Sequence, residues 1–195
     1  MPARRHGDGN TASAVLDVAE KLVQSRGFNG FSYADVAAEL QLTKAALHYH
    51  FAGKAELGEA LLTRYTQRFA SALEAIGSQP IEAPAKLSAY AELYLDVLER
   101  DRMCLCGMMA AEYQTLPESM QAIVVRFFLD NETWLTSILE LGKTQGTIHL
   151  DGSTRDAARM IVASLEGAML VARPFHDLAR FRAASDATIN HLTAR

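Results

Sequence analysis

The sequence predicts an all-α fold of nine helices, and three observations predict it. Apolar residues recur at spacings of three and four along most of the chain. Alternation of β-branched residues at period two is almost absent. Pro84, Pro117 and Pro174 each stand where a helix could begin, a position where the missing amide hydrogen is no loss.

The first helix is expected over Thr11–Arg26, with Val15, Leu16, Val18, Ala19, Leu22 and Val23 on one face and Gly27 as its C-cap. Ser32-Tyr33-Ala34-Asp35 has the form of a capping box that opens a short helix, Tyr33–Leu40. Gln41 and Leu42 turn the chain, and Thr43 caps a second short helix, Lys44–His50. Long helices follow over Lys54–Ile76 and Pro84–Arg102, with a short apolar one over Cys104–Gln114. Pro117 opens another long helix that Gly146 closes. Ser153 or Thr154 opens the next, which runs to Arg173, and the last spans Phe175–Thr193.

Composition bounds the function. With 49% hydrophobic and 22% charged residues, the 195-residue chain is neither disordered nor fibrous. Two cysteines exclude a disulfide scaffold and fit a reducing compartment. No run between charged residues exceeds nine residues. A membrane-spanning helix needs about 20 apolar residues, so none is expected. No apolar segment of signal-peptide length precedes Asp17. A soluble cytoplasmic protein with no membrane partner is the expectation. The net charge of −4 divides into +1 over residues 1–68 and −5 over 69–195. Overall acidity argues against unspecific coating of nucleic acid, but leaves room for a contact confined to the first segment.

The pair of short helices is the informative motif. Two helices of eight and seven residues joined by a three-residue turn match a helix-turn-helix. Helices this short need a third to bury their apolar sides, and the Val15–Val23 face supplies it. Ala37 suits the close crossing, and Val36, Leu40, Leu42 and Leu47 fill the space between. The second short helix presents small, hydroxylated, imidazole and aromatic side chains with one cation. That mixture suits entry into a major groove, although a purely structural three-helix unit would show the same pattern.

The run Val15-Leu16-Asp17-Val18-Ala19, Arg26-Gly27-Phe28, Phe31 to Ala37, Leu42 to Phe51, Lys54 and Leu57 resembles the tetracycline-repressor (TetR) family of transcriptional regulators. The resemblance implies a homodimer that binds a double-stranded DNA operator and a small-molecule inducer. Residues 1–53 would be the helix-turn-helix DNA-binding domain, with 1–10 as a flexible tail. Residues 54–195 would be the helical ligand-binding and dimerisation domain. Position by position, Ser32 and Tyr33 fall where the family contacts phosphates, and Thr43 and Lys44 match its Ser/Thr-Lys pair. Ala45, Ala46 and His48 fall at base-facing positions. Tyr49 and His50 match an aromatic-His pair that grips the backbone, and Lys54 matches a phosphate-binding lysine. Three departures stand out: Gln41 replaces a turn glycine, Ala45 a glycine, and His48 a tyrosine. If position 41 requires positive φ, glutamine there costs on the order of 1 kcal/mol.

In the second domain the resemblance places an inducer pocket among residues 90–134. Tyr90, Tyr94, Met103, Cys104, Met108, Tyr113, Phe127 and Trp134 are the expected lining, adaptable enough for an apolar or aromatic ligand. Several of them equally suit an ordinary core. The segment Cys104-Leu105-Cys106-Gly107 resembles one found in a branch of the family with electrophile-responsive members. Redox or electrophile sensing through Cys104 or Cys106 is therefore an alternative reading, and two small buried hydrophobes another. Dimerisation is expected through the last two helices at Ala163, Gly167, Leu170, Phe181 and Ile189. Cys-x-Cys lacks nearby partners for a metal, and no HExxH, P-loop, GxSxG or GxGxxG pattern occurs. No enzyme, cofactor or metal site is expected. A helical interaction protein that never meets DNA is the remaining alternative.

Overall fold

The computed structural model describes residues 8–193. Part of the expected tail, residues 1–7, lies outside them. The tail expected through Asn10 gives way to helix from Asp8. Nine α-helices follow in order among the described residues: α1 Asp8–Arg26, α2 Tyr33–Leu40, α3 Lys44–His50, α4 Lys54–Ser78, α5 Ala83–Leu98, α6 Leu105–Ala111, α7 Glu118–Gln145, α8 Thr154–Ala172 and α9 Leu178–Thr193. Two 3-10 turns, Tyr113–Thr115 and Arg173–Phe175, separate α6 from α7 and α8 from α9. There is no strand among these residues, and no helix is long and apolar enough to cross a membrane.

The helix starts follow local chemistry. Asp35 Oδ2 accepts from both the backbone amide and the hydroxyl of Ser32, each at 2.7 Å, and opens α2. These two hydrogen bonds from Ser32 hold the exposed Asp35 carboxyl below its ordinary value. Thr43 Oγ1 accepts from the Ala46 amide at 3.1 Å and opens α3. Several ends differ from expectation, two of them beside a left-handed residue. Helix α5 stops at Leu98 rather than Arg102, because Asp101 turns into the left-handed region at φ 55°. Pro174 does not start a long helix. It sits in a 3-10 turn closed by His176 at φ 49°, and α9 begins at Leu178.

The chain gathers into two compact units. The first takes the described residues up to Tyr65 together with Leu105–Val124, and the second takes Thr66–Cys104 and the described residues from Val125 onward. In the first, Val15, Leu22, Val36, Leu47, Leu57 and Leu61 are buried. Arg64 on α4 clamps α1, donating to Asp17 at 2.7 Å and Glu20 at 3.0 Å. Gly58 permits the close approach of α7 to α4: a Cβ there would stand 2.6 Å from Met120 Cε and 2.9 Å from Phe28 Cε2. In the second unit, Leu87, Leu95, Leu139, Leu165, Phe181 and Leu192 are buried. Lys86 is buried there too, and its ammonium donates to the Gly77 carbonyl, where the last turn of α4 leaves carbonyls without helical partners.

Gln41 caps α2 in the left-handed region, at φ 54° and ψ 37°, which meets the condition under which glutamine is costly at this turn. A non-glycine residue there costs about 1–2 kcal/mol, while glycine adds about 0.5–1 kcal/mol of unfolded-chain entropy. Gln41→Gly is expected to raise the unfolding free energy by about 0.5–1 kcal/mol, measured by urea denaturation. Unchanged or lower stability would mean that the glutamine side chain makes up the difference.

Candidate functional site

The surface of α3 is built for close approach. Thr43, Lys44, Ala45, His48 and Tyr49 are exposed, while Ala46 and His50 are half-buried. Tyr49 reaches 75% exposure, more than any other large hydrophobic side chain described. Its ring meets His50 edge-on, with centroids 5.2 Å apart. Leu47 alone on this helix is buried, anchoring it to the core. Beside it, Ser32 is exposed at the start of α2. Nine of the ten residues expected to meet DNA thus cluster on α3 and the start of α2.

Several of these side chains are also tied into the protein. The Tyr33 hydroxyl donates to the Phe51 carbonyl at 3.0 Å, and burial pushes its pKa up to about 12, with Glu56 adding to the rise. The His48 ring packs on Tyr33 at 4.8 Å, and its Nδ1 donates to the Ala52 carbonyl at 3.1 Å. The Ala52 amide in turn donates to Glu56 at 2.7 Å. The orientation of α3 against α2 and the 51–53 loop is thereby fixed.

Lys54 was expected to face a phosphate. Its ammonium instead donates to the Phe31 carbonyl and lies over the Phe28 and Phe31 rings, 4.7 and 4.4 Å from their centroids. Partial burial lowers its pKa, with Glu112 and Asp35 opposing the fall. Opposite stands Glu112, which sequence reasoning missed. Its carboxylate accepts from the Phe28 amide at 2.6 Å and the Asn29 amide at 3.1 Å. Asn29 Nδ2 also donates to Thr115 Oγ1 at 2.7 Å. Gly27 makes room for that carboxylate: at φ 87°, a Cβ would stand 2.6 Å from Glu112 Oε1.

The second unit holds a different cluster. Tyr90 and Tyr94 of α5 are wholly buried, and their hydroxyls are 2.9 Å apart. The Tyr90 hydroxyl donates to Asn131 Oδ1 at 2.9 Å, and Asn131 Nδ2 donates to the Phe127 carbonyl at 2.7 Å. Trp134 stacks on Tyr90, with centroids 5.6 Å apart, and Phe69 meets Tyr90, Tyr94 and Phe127 edge-on. Burial raises both tyrosine pKa values above the ordinary range, so both stay neutral. Glu166 of α8 acts on both hydroxyls and is hydrogen-bonded by the Cys104 thiol. Glu166 Oε1 is buried and accepts no hydrogen bond. Burial raises the Glu166 pKa from 4.5 to about 7, and the thiol partly offsets the rise.

Of the eight residues expected to line a pocket, Tyr90, Tyr94, Phe127 and Trp134 come together here, and Cys104 joins them through Glu166. Met103 is buried in the same unit, whereas Met108 and Tyr113 belong to the first unit. Phe69, Asn131 and Glu166 were missed. The last two carried a readable signal, a single polar residue within an apolar helical stripe. Of the alternatives for the cysteines, the structure has the buried one: Cys104 and Cys106 are 2% and 0% exposed, and burial removes the access that thiolate chemistry requires. Two expected interface residues are corrected as well. Phe181 and Ile189 are buried within the protein, at 1% and 8%, and fill its core. Ala163, Gly167 and Leu170 face outward, Leu170 being 67% exposed. They stand beside a groove between α8 and α9 lined by Gly167, Ala168, Val171, Ala183, Ala184 and Thr188.

Known proteins share this fold. Residues 15–61 match the model of bacterial regulatory proteins of the tetR family, and residues 83–188 match a tetracyclin repressor-like C-terminal domain. A TetR-family transcriptional regulator from Agrobacterium tumefaciens is 30% identical, with a TM-score of 0.92 over 96% of this chain and 100% of that one. A TetR transcriptional regulator from Legionella pneumophila is 29% identical, with a TM-score of 0.84 over 98% and 100% of the two chains. A transcriptional regulator from Saccharomonospora viridis, solved in complex with choline, shares the fold at 18% identity, with a TM-score of 0.79 over 96% and 100%. No curated protein matches significantly.

The raised pKa of Glu166 makes stability depend on pH. The folded protein binds this proton more tightly than the unfolded chain, whose carboxyl titrates near 4.5. The stabilisation is therefore complete below pH 4.5 and is lost as pH rises through about 7. Glu166→Gln keeps the neutral shape at every pH. It is expected to stay within about 1 kcal/mol of the native protein at pH 5 and to exceed its stability at pH 8 by up to about 3 kcal/mol, measured by denaturation at both values. An equal difference at the two pH values would contradict this assignment.

Proposed function

We propose that this chain, which belongs to the tetR family of bacterial regulatory proteins, is a homodimeric repressor released from a palindromic operator by a small organic inducer. The observation that carries the reading is the exposed α3 face, with Lys44 and Tyr49 among its exposed residues and the helix anchored from behind by Leu47. A single helix of seven residues reads too few base edges for specificity. Two copies related by a two-fold axis double the contacts and set the half-site spacing.

The groove between α8 and α9 supports the dimer. Gly167, Ala168, Ala183 and Ala184 let a second copy approach closely, and Leu170 and Val171, 67% and 58% exposed, offer apolar area beside them. The aromatic cluster around Tyr90 and Trp134 supports the inducer site, and the Saccharomonospora viridis protein of the same fold was solved in complex with choline, a small organic molecule. An inducer that binds the DNA-free state more tightly must weaken operator affinity by the same factor as DNA weakens its own.

The test is fluorescence anisotropy on duplexes enriched from a random library. A palindromic consensus is expected, with affinity falling steeply with salt. Lys44→Ala should weaken all sequences alike and reduce the log–log salt slope by about one per half-site. A monomer at micromolar concentration that enriches no sequence would overturn the reading.

A further inference from the structure

Among the described residues of the second unit, one buried polar side-chain atom is left without a hydrogen bond. Glu166 Oε1 is buried and accepts no hydrogen bond. A buried carboxylate oxygen without a donor is costly, and natural cores seldom keep one. Nearby polar groups are engaged elsewhere. The Tyr90 hydroxyl serves Tyr94 and Asn131, and the Asn131 amide serves the Phe127 carbonyl. The Cys104 thiol already bonds the Glu166 carboxyl. The fold therefore offers an anionic acceptor and withholds a partner. Its charge acts on the hydroxyls of Tyr90 and Tyr94, which belong to a cluster of electron-rich rings: Trp134 stacks on Tyr90, and Phe69 meets both tyrosines edge-on. Ring faces carry negative charge and attract cations. A neutral donor would satisfy Oε1 alone, and an anion would be repelled. A protonated amine satisfies the oxygen, neutralises the charge and suits the rings.

We infer that the helical domain recognises a primary or secondary organic ammonium ion with an aromatic or apolar body, through Glu166 Oε1 as its charged acceptor. This rests on the reading of the aromatic cluster as the inducer site and names the chemistry of its ligand. Burial and the Cys104 thiol ahead of α6 set the Glu166 carboxyl, and its charge in turn raises the Tyr90 and Tyr94 hydroxyls of α5. Both tyrosines stay neutral, so ligand affinity follows one proton. An ammonium ligand needs the ionised carboxylate. Its affinity should rise about tenfold per pH unit below pH 7 and level off above it. A neutral ligand that bonds the protonated acid would show the reverse.

The chain has a single tryptophan, Trp134, and its ring lies in this cluster. Its fluorescence reports binding to the full-length protein without a label. Three isosteres of one shape serve as probes: 2-phenylethylammonium, 2-phenylethanol and phenylacetate. The ammonium is expected to bind at least about tenfold tighter than the alcohol at pH 8, a difference of one charge-assisted hydrogen bond. Phenylacetate should bind weakest. Glu166→Gln should erase the preference for the cation while keeping the alcohol's affinity, and its thermal melt verifies folding. The native protein with the three probes tests the inference even if the variant fails to fold. Equal binding of the three, a preference for the alcohol or phenylacetate, no binding of the ammonium at millimolar concentration, or a preference that survives Glu166→Gln would overturn it. Operator anisotropy with each probe keeps the two readings apart. A cation that binds through Glu166 without loosening DNA contradicts the inducer reading alone. Release by the neutral or anionic probe contradicts the ammonium assignment alone.

Discussion

The short turn between α1 and α2 is held by opposite charges from distant parts of the chain, and the placement of the exposed α3 face depends on that hold. Lys54 supplies a cation to the Phe31 carbonyl and the Phe28 and Phe31 rings. Glu112 supplies an anion to the Phe28 and Asn29 amides. At a tight turn these amides have no helical partner, and leaving that of the buried Phe28 unpaired costs about 1–3 kcal/mol. Gly27 lets the chain reverse in the left-handed region, where a Cβ would also collide with Glu112. Helix α2 starts two residues beyond Phe31, and α3 is fixed to α2 through Tyr33 and His48. Position is thus passed from Glu112 to the turn, from the turn to α2, and from α2 to α3.

This dependence explains why the first compact unit is not a continuous stretch of sequence. The matched helix-turn-helix model ends at residue 61, yet Leu105–Val124 folds with it. Met109, Leu116 and Met120 bring buried apolar area to helices too short to hold themselves together, and Glu112 brings the charge. Segments that close a core from far along the chain leave little local trace. The same holds in the second unit, where the Tyr90–Asn131 bond joins residues 41 apart.

Local signals were legible. Helix α3 and both of its neighbours start where Thr43, the Ser32–Asp35 box and Lys54 place them, because caps act within four residues. The left-handed Gln41 was legible as a departure from glycine. The exposed face of α3 could be read from its small and polar composition. What could not be read were roles set by tertiary partners. Lys54 was legible as a cation but not as a brace, because the rings it covers lie across a turn. Cys104 stood close to Arg102 in sequence, yet its packing environment, not its sequence neighbours, decides its reactivity. Phe181 and Ile189 carried the helical spacing of an apolar stripe, and spacing alone does not say whether the stripe meets its own core or another copy. Glu166 and Asn131 were legible only as polar interruptions of such stripes.

The central claim is that Glu112 holds the α1–α2 turn and, through it, α3. Native-state hydrogen exchange tests it at the atoms concerned. In Glu112→Ala the amides of Phe28 and Asn29 are expected to exchange at least about tenfold faster than in the native protein, matching a lost hydrogen bond of about 1.4 kcal/mol. The amides of α3 should speed up with them, while those of α8 should not change. Unaltered protection at Phe28 and Asn29, or loss confined to them with α3 unaffected, would contradict the account.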